Sequence, residues 1–395
     1  MRRRTVEVLV TGIAAMLVMA GGASAGARVA APEAPVPETF RAQATAWTSD
    51  SSGWVLGTDD GADDDGDGGD DGAERSPVIR TVDSGRTWSE IGSVPAPLAQ
   101  PAEPGVTELA FADERHGWAY GPSLYSTRDG GRSWSEEAIP EPGGHVVAMA
   151  TSEGRMYMVV SPCEVGTPPY DCDRPSTVWR SLIGSSTWIR ASVELPVAYE
   201  ARVAVSDGAA YVVVPTEPGE PDVFYATTDG WRWSERSTPC RTGEGESLVD
   251  VAAMPGQRVA LLCIGGAGWS KSVKRVFVSD DAGQTTAPAG VAPEMGIRTQ
   301  LAAGPDDTLL LASTSSGSWL YRNAGGGAEW TTPLEKADGG ADWNDPMLLD
   351  DGRGFVVHAP AAWADGAGTL LTTRNGGQDW SPVAFRIGPM SERGD

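Results

Sequence analysis

One phrase occurs three times in the chain: Thr81-Val-Asp-Ser-Gly-Arg-Thr-Trp88, Thr127-Arg-Asp-Gly-Gly-Arg-Ser-Trp134 and Thr373-Arg-Asn-Gly-Gly-Gln-Asp-Trp380. Each copy has Asp or Asn, Gly two residues on, and Trp three residues further. Asp83, Asp129 and Asn375 can fold a side-chain oxygen back onto nearby backbone N–H groups. Gly85, Gly131 and Gly377 supply the φ > 0 that a side chain resists. Trp88, Trp134 and Trp380 then open a strand and place a large apolar ring where neighbouring sheets meet. Internal repetition of this kind fixes the architecture before any single residue does.

Decayed copies fill the intervals. Thr228-Asp-Gly-Trp-Arg-Trp233 keeps Asp229 and Trp233 in a shortened turn, and Ser279-Asp-Asp-Ala-Gly-Gln-Thr-Thr286 keeps Asp281 and Gly283 but has Thr286 where Trp is expected. Gly184-Ser-Ser-Thr-Trp188 and the stretch from Asn323 to Trp330 are further remnants. The markers at 88, 134, 188, 233, 286, 330 and 380 stand 46, 54, 45, 53, 44 and 50 residues apart. Such intervals match four-stranded propeller blades of roughly 40–50 residues. Seven units predict an all-β, seven-bladed β-propeller of antiparallel blades, whose closure protects the edges an open sheet would expose. Six blades and one divergent segment are the alternative. Each unit holds its four strands contiguously, so the ring closes by packing the seventh blade on the first, with room for an added strand from the Pro-rich lead-in.

The organisation around the repeats is simple. Residues 1–25 have a basic start, a short apolar run and Ala23-Ser-Ala25, as in an export signal. Residues 26–39 form an Ala/Pro-rich lead-in, 40–388 the propeller, and 389–395 a tail. The apolar run is shorter than the ~20 residues of a spanning helix, so no stable membrane span is expected once the signal is cleaved. A formal net charge of −24 opposes nucleic-acid binding, which needs Lys and Arg. The expected state is a secreted or cell-envelope monomer whose partner is a protein or a glycan. Four cysteines in an exported chain suggest disulfides. Of three possible pairings, Cys163–Cys172 and Cys240–Cys263 are favoured because each closes a short local loop.

The repeated turn resembles the Asp-box, also called the BNR repeat, which in its family is a structural hairpin on propeller blades. Phe111-Ala-Asp-Glu-Arg-His-Gly-Trp-Ala-Tyr-Gly121, followed by the turn ending at Trp134, resembles the photosystem II stability/assembly factors and their bacterial relatives. That resemblance implies a non-enzymatic seven-bladed propeller that binds a partner. Sialidases also carry Asp-boxes, and the resemblance implies an arginine cluster gripping a carboxylate. Phe40-Arg41 matches the first half of their F-R-I-P motif, with Ala42-Gln43 in place of Ile-Pro. A sialidase-like or other glycoside hydrolase is therefore the alternative function.

On the scaffold itself, the repeated turns lie on one face and the second-to-third-strand loops and inter-blade links on the other. The second face carries the loops that vary most, and binding is expected there. The ligand-binding candidates are Arg41, Arg202 and Arg298, which begin innermost strands, and the aromatics Tyr170, Trp269 and Trp363. No cofactor is expected, except that Asp63, Asp65, Asp67 and Glu74 formally fit a calcium-loop pattern. No catalytic residue can be named: the histidines are only His116, His145 and His358, and no G-x-S-x-G occurs.

Overall fold

The computed structural model describes residues 34–59, 75–99, 104–152, 154–163, 172, 174–198, 200–215, 221–327, 329–337, 341–359 and 368–385. All lie in the compact unit Pro32–Asp395. The export signal at 1–25, the tail at 389–395, the acidic residues Asp63, Asp65, Asp67 and Glu74, and the aromatics Tyr170 and Trp363 fall outside the described residues.

Every blade is an antiparallel sheet whose strands follow chain order from the inside outward. The innermost strands, blade 1 to blade 7, are Phe40–Trp47, Glu108–Phe111, His145–Ser152, Arg202–Ser206, Glu246–Met254, Arg298–Ala303 and Asp342–Leu348. Each touches the next around the ring, and the seventh touches the first. Closure is hydrogen-bonded as well as packed. Thr45 N–H donates to the Asp345 carboxylate at 2.7 Å, Asn344 Nδ2 to the Gln43 carbonyl at 3.1 Å, and Ala42 N–H to the Gly368 carbonyl at 3.2 Å. The lead-in adds a fifth strand: Ala34–Pro35 pairs with Ser89–Val94, the outer strand of blade 1. Proline suits that place, since an outer edge does not need its N–H.

The core is seven clusters, one in each seam between blades. Strand alternation sends successive side chains to the two flanking seams, so the strands read as nearly continuous apolar runs. The expected indoles lie in six of the seven. At the seam between blades 7 and 1, Trp47 stacks on Phe355 at 3.9 Å and meets Trp88 edge-on at 6.0 Å. The next seam repeats the trio: Phe111 stacks on Trp54 at 3.9 Å and meets Trp134 edge-on at 6.2 Å. The seam between blades 4 and 5, where Thr286 replaces Trp, is filled instead by Tyr211 and Phe224.

The three full turns close through side-chain bonds. In blade 2, Ser133 N–H and Oγ donate to the two Asp129 oxygens at 2.9 and 2.6 Å, Gly131 N–H donates to Thr127 Oγ1 at 2.9 Å, and Trp134 Nε1 donates to the Gly131 carbonyl at 3.0 Å. Blades 1 and 7 copy the set around Asp83 and Asn375. Gly85, Gly131 and Gly377 all have φ between 75° and 97°. The shortened turn at Asp229 keeps the carboxylate bonds, but the one-residue deletion leaves Trp233 Nε1 without a partner.

Asp281 shows the electrostatic consequence. Bonds from Thr285 N–H and Oγ1 and from Ser279 Oγ, all at 2.8 Å, hold its pKa down to about 2. A depressed carboxyl stabilises the fold above its unfolded pKa of ~3.9 and loses that contribution as pH falls through the folded value. Asp281→Asn, which copies Asn375 of blade 7, should therefore flatten the decline in stability between pH 4 and 2. Denaturation midpoints followed by tryptophan fluorescence across that range check this; identical slopes in both proteins would refute it.

Candidate functional site

Three antiparallel reversals put the start of every inner strand on the same face as the second-to-third-strand loops. That face bears a mouth, which shares part of its wall with the central channel. The mouth is a cavity of about 420 Å³ walled by Arg202, Ser247, Val249, Gly265–Ala267, Arg298, Asp342 and Trp343, among others. The channel cavity, about 500 Å³, is walled by Glu108, Tyr120, His145, Asp250 and Asp345. Glu200, Arg202 and Gln300 belong to both walls.

Of the three predicted arginines, Arg202 and Arg298 share the mouth, and Arg41 lines neither cavity. Neither mouth arginine is bare. Arg298 pairs with Asp342 at 2.6 Å, and Arg202 sits 3.6 Å from Asp250 and 3.8 Å from Glu200. Burial works against the Arg202 charge, but Asp250, Glu200 and Glu108 together hold its pKa above the ordinary value.

The sequence reading missed the channel acids. Burial pushes Glu108 well above the usual carboxylate range, and the neighbouring Asp345, hydrogen-bonded to it, adds to the rise. Asp345 itself is raised by burial to about 6. It occupies a bulge at φ 50°, which aims its carboxylate at Thr45 N–H across the closing seam. Asp250 likewise spans a seam, that between blades 5 and 6, accepting from Leu301 N–H at 2.7 Å while Val251 N–H donates to its other oxygen at 2.8 Å. The available signal was an acid inside an otherwise apolar inner strand, as in Glu108-Leu-Ala-Phe111.

Two polar atoms in the mouth lack partners. Ser247 is 4% exposed and Trp343 is 3% exposed, yet Ser247 Oγ and Trp343 Nε1 make no hydrogen bond. Both atoms are sealed behind the wall of the cavity rather than exposed to it.

Above the mouth rises a long hairpin, the second and third strands of blade 5, Arg258–Gly268 and Lys271–Ser279. Gly268 pairs with Lys271, so Trp269 and Ser270 form a two-residue turn, and their φ values of 50° and 66° are those of a type I′ turn. Neither is Asn, Asp or Gly, so the conformation costs about 1 kcal/mol or more per residue. The result is an indole that is 99% exposed.

The hairpin is braced from below. Gly296 N–H donates to the Ser270 carbonyl at 2.8 Å, and Ser272 N–H donates to the Glu294 carbonyl at 2.8 Å. The brace is fastened by Lys274, which is fully buried. Its ammonium donates to the carbonyls of Glu294, Met295 and Gly296 at 2.8–2.9 Å and to those of Ser272 and Pro293 at 3.3 Å. Burial draws the Lys274 pKa down, to about 8, so the group is charged at neutral pH, where five carbonyl oxygens face it.

Both favoured disulfides are present, Cys163–Cys172 and Cys240–Cys263. Cys163 follows the second strand of blade 3 and Cys240 lies in the link from blade 4 to blade 5, both on the mouth face.

No family model matches the sequence, and no curated protein matches it. Solved structures do share the fold. "YCF48 bound to D1 peptide" superposes with a TM-score of 0.54 at 15% identity, covering 87% of this chain and 96% of that one. YCF48 from Cyanidioschyzon merolae gives 0.52 at 16% identity, covering 87% and 98%. The GH93 α-L-arabinofuranosidase of Fusarium graminearum with arabinobiose gives 0.44 at 13% identity, covering 87% and 96%.

Proposed function

We propose that this chain is an exported, non-catalytic propeller that binds a segment of a protein partner across its mouth face. The observation that carries the reading is the Trp269 hairpin: a wholly exposed indole, held in a costly backbone conformation and braced beside a cavity. Exposed aromatics at the rim of a pocket are typical anchors of binding surfaces. Export fits the two disulfides. The structure titled as YCF48 with a peptide has the same fold, which supports a peptide as the kind of partner.

Affinity capture from cell-envelope extract, with Trp269→Ala as the control, tests the reading. The variant should keep its unfolding midpoint, because the ring packs on nothing, while recovery of the partner falls at least tenfold, about 1.4 kcal/mol. Equal recovery by both proteins would remove the hairpin from the function.

A second reading, a glycoside hydrolase, has one observation in its favour. Glu108 shares the channel with Asp250; burial raises the pKa of both, and Arg202, 3.6 Å from Asp250, offsets part of the rise there. An acid beside a carboxylate is the pair such hydrolysis uses. Turnover of a fluorogenic sialoside or arabinofuranoside, abolished by Glu108→Gln, would establish it over the binding reading.

A further inference from the structure

We propose that the turn face, opposite the mouth, carries a second docking surface where the seam between blades 3 and 4 ends, and that its partner is an acidic protein segment with apolar side chains. Both turns that border this place have drifted from the repeat: blade 3 keeps only Gly184-Ser-Ser-Thr-Trp188, and the turn of blade 4 is one residue short. Among the described residues six large apolar side chains are exposed, and three of them, Leu182 (62%), Ile189 (44%) and Trp231 (59%), belong to this seam end. Strand alternation assigns them there. Trp179 and Ile183 pack in the preceding seam, which turns Arg180 and Leu182 toward blade 4. Ile189 continues the row of Ala191, Val193 and Leu195, which fill the seam itself, and Trp231 stands two residues before Trp233 of the same cluster. Single exposed apolar side chains are ordinary, but several gathered at one place mark an interaction surface.

The indole is held in place. The guanidinium of buried Arg180 lies 3.0 Å from the Trp231 ring centroid and supports one face of the ring. Gly230, at φ 73°, lets the turn seat on blade 3, since a Cβ there would stand 3.0 Å from Arg155 Nη1 and 2.6 Å from Tyr157 Oη. Charge then selects the kind of partner. Half-buried Arg155 and exposed Arg232 flank the indole, and among the described residues Arg155, Arg180 and Arg232 make no ion pair. The carboxylate of the turn, Asp229, is taken up by the N–H groups of Trp231 and Arg232 at 2.7 and 2.8 Å and by Thr227 Oγ1 at 3.1 Å. The mouth arginines, by contrast, are engaged by Asp342, Asp250 and Glu200. On a chain of net charge −24, guanidinium groups left without acids complement a partner that brings its own carboxylates. Leu182 and Ile189 beside the indole suit aliphatic side chains better than a sugar ring, so the surface fits a protein segment.

The test uses the full chain and two labelled, capped peptides, Glu-Leu-Glu-Leu-Glu-Leu-Glu and its analogue with Gln at every Glu, titrated by fluorescence anisotropy. The acidic peptide is expected to bind about tenfold more tightly, with a preference that shrinks as salt is added. Arg155→Gln combined with Arg232→Gln should erase the preference, and Trp231→Ala should weaken both peptides about tenfold. Circular dichroism checks the folding of each variant, and Arg232→Gln alone, at an exposed position, should already cut the preference about threefold. Trp269→Ala, on the opposite face, should bind the acidic peptide as the native chain does, so this surface and the mouth fail separately. Equal binding of the two peptides, a preference that survives the double substitution, loss of binding in Trp269→Ala, or no binding at all overturns the inference. Tetragalacturonate binding at Trp231 in place of the peptide would overturn it in favour of an acidic glycan. A native dimer that Trp231→Ala dissociates in sedimentation would overturn it in favour of a second copy of this chain.

Discussion

Lys274→Met should destabilise the chain by about 3 kcal/mol, even though methionine copies the length and apolar stem of lysine. The reason is the five carbonyl oxygens around the ammonium. Three of them belong to Glu294–Gly296, the link from blade 5 to blade 6, and a thioether gives them nothing. Unsatisfied buried acceptors each cost on the order of 1 kcal/mol or more, and water has little access to a residue with no exposed surface. Met295 would suffer least, because Tyr321 Oη also donates to its carbonyl at 2.9 Å, and Gly296 keeps a bond from Ser272 Oγ at 2.8 Å. Urea titration at neutral pH reads the change. The opposing effect is the cost of burying the charge itself, and if that dominated, Lys274→Met would be as stable as the native protein or more so. Hydrogen exchange adds a local readout: Ser272 and Gly296, whose amides hold the hairpin to the link, should lose protection first.

How much of this was legible in the sequence follows from the range of each interaction. The repeated turn is a local device, in which the side chains of Thr127, Asp129, Ser133 and Trp134 bond within the turn, so its signature survives in the order of residues. Regular spacing then implied the ring. The channel was not legible for the opposite reason. Glu108 and Asp345 are 237 positions apart in the numbering and meet only because the ring closes. Asp345 and Asp250 each satisfy an amide of the following blade, a relation that no local pattern announces. The three arginines at strand starts were read as equivalent, but the ring sets Arg202 and Arg298 on the mouth cavity and places Arg41 away from it. Trp269 was picked out as an aromatic on the variable face; its strained, braced display depends on Lys274, whose burial within the polar-looking run Lys271-Ser-Val-Lys-Arg275 gives no outward sign.

The seam between blades 4 and 5 carries the second large expectation. Replacing both Cys240 and Cys263 by Ser should lower stability by about 3.4 kcal/mol, the loop-closure value for a separation of 23 residues. The location gives the bond more to do than its loop length implies. This is the seam where Thr286 stands in place of the wedging indole, and Cys240 packs against its cluster while Cys263 lies in the second strand of blade 5. Tyr211 and Phe224 fill the interior, 6.4 Å apart, but neither belongs to the turn that elsewhere bonds blade to blade. The crosslink therefore ties the blade 4 to blade 5 link across the ring's one seam without a marker Trp. The Cys163–Cys172 bond closes only 9 residues, and its removal should cost about 2.6 kcal/mol by the same relation, with no seam to loosen. Guanidinium titrations of the two double variants under non-reducing conditions compare them. The Cys240/Cys263 variant should unfold at the lower midpoint and show a steeper rise in exchange at Leu248 and Leu261, both in that seam. Equal midpoints for the two variants would mean that Tyr211 and Phe224 alone hold the seam as firmly as a tryptophan does.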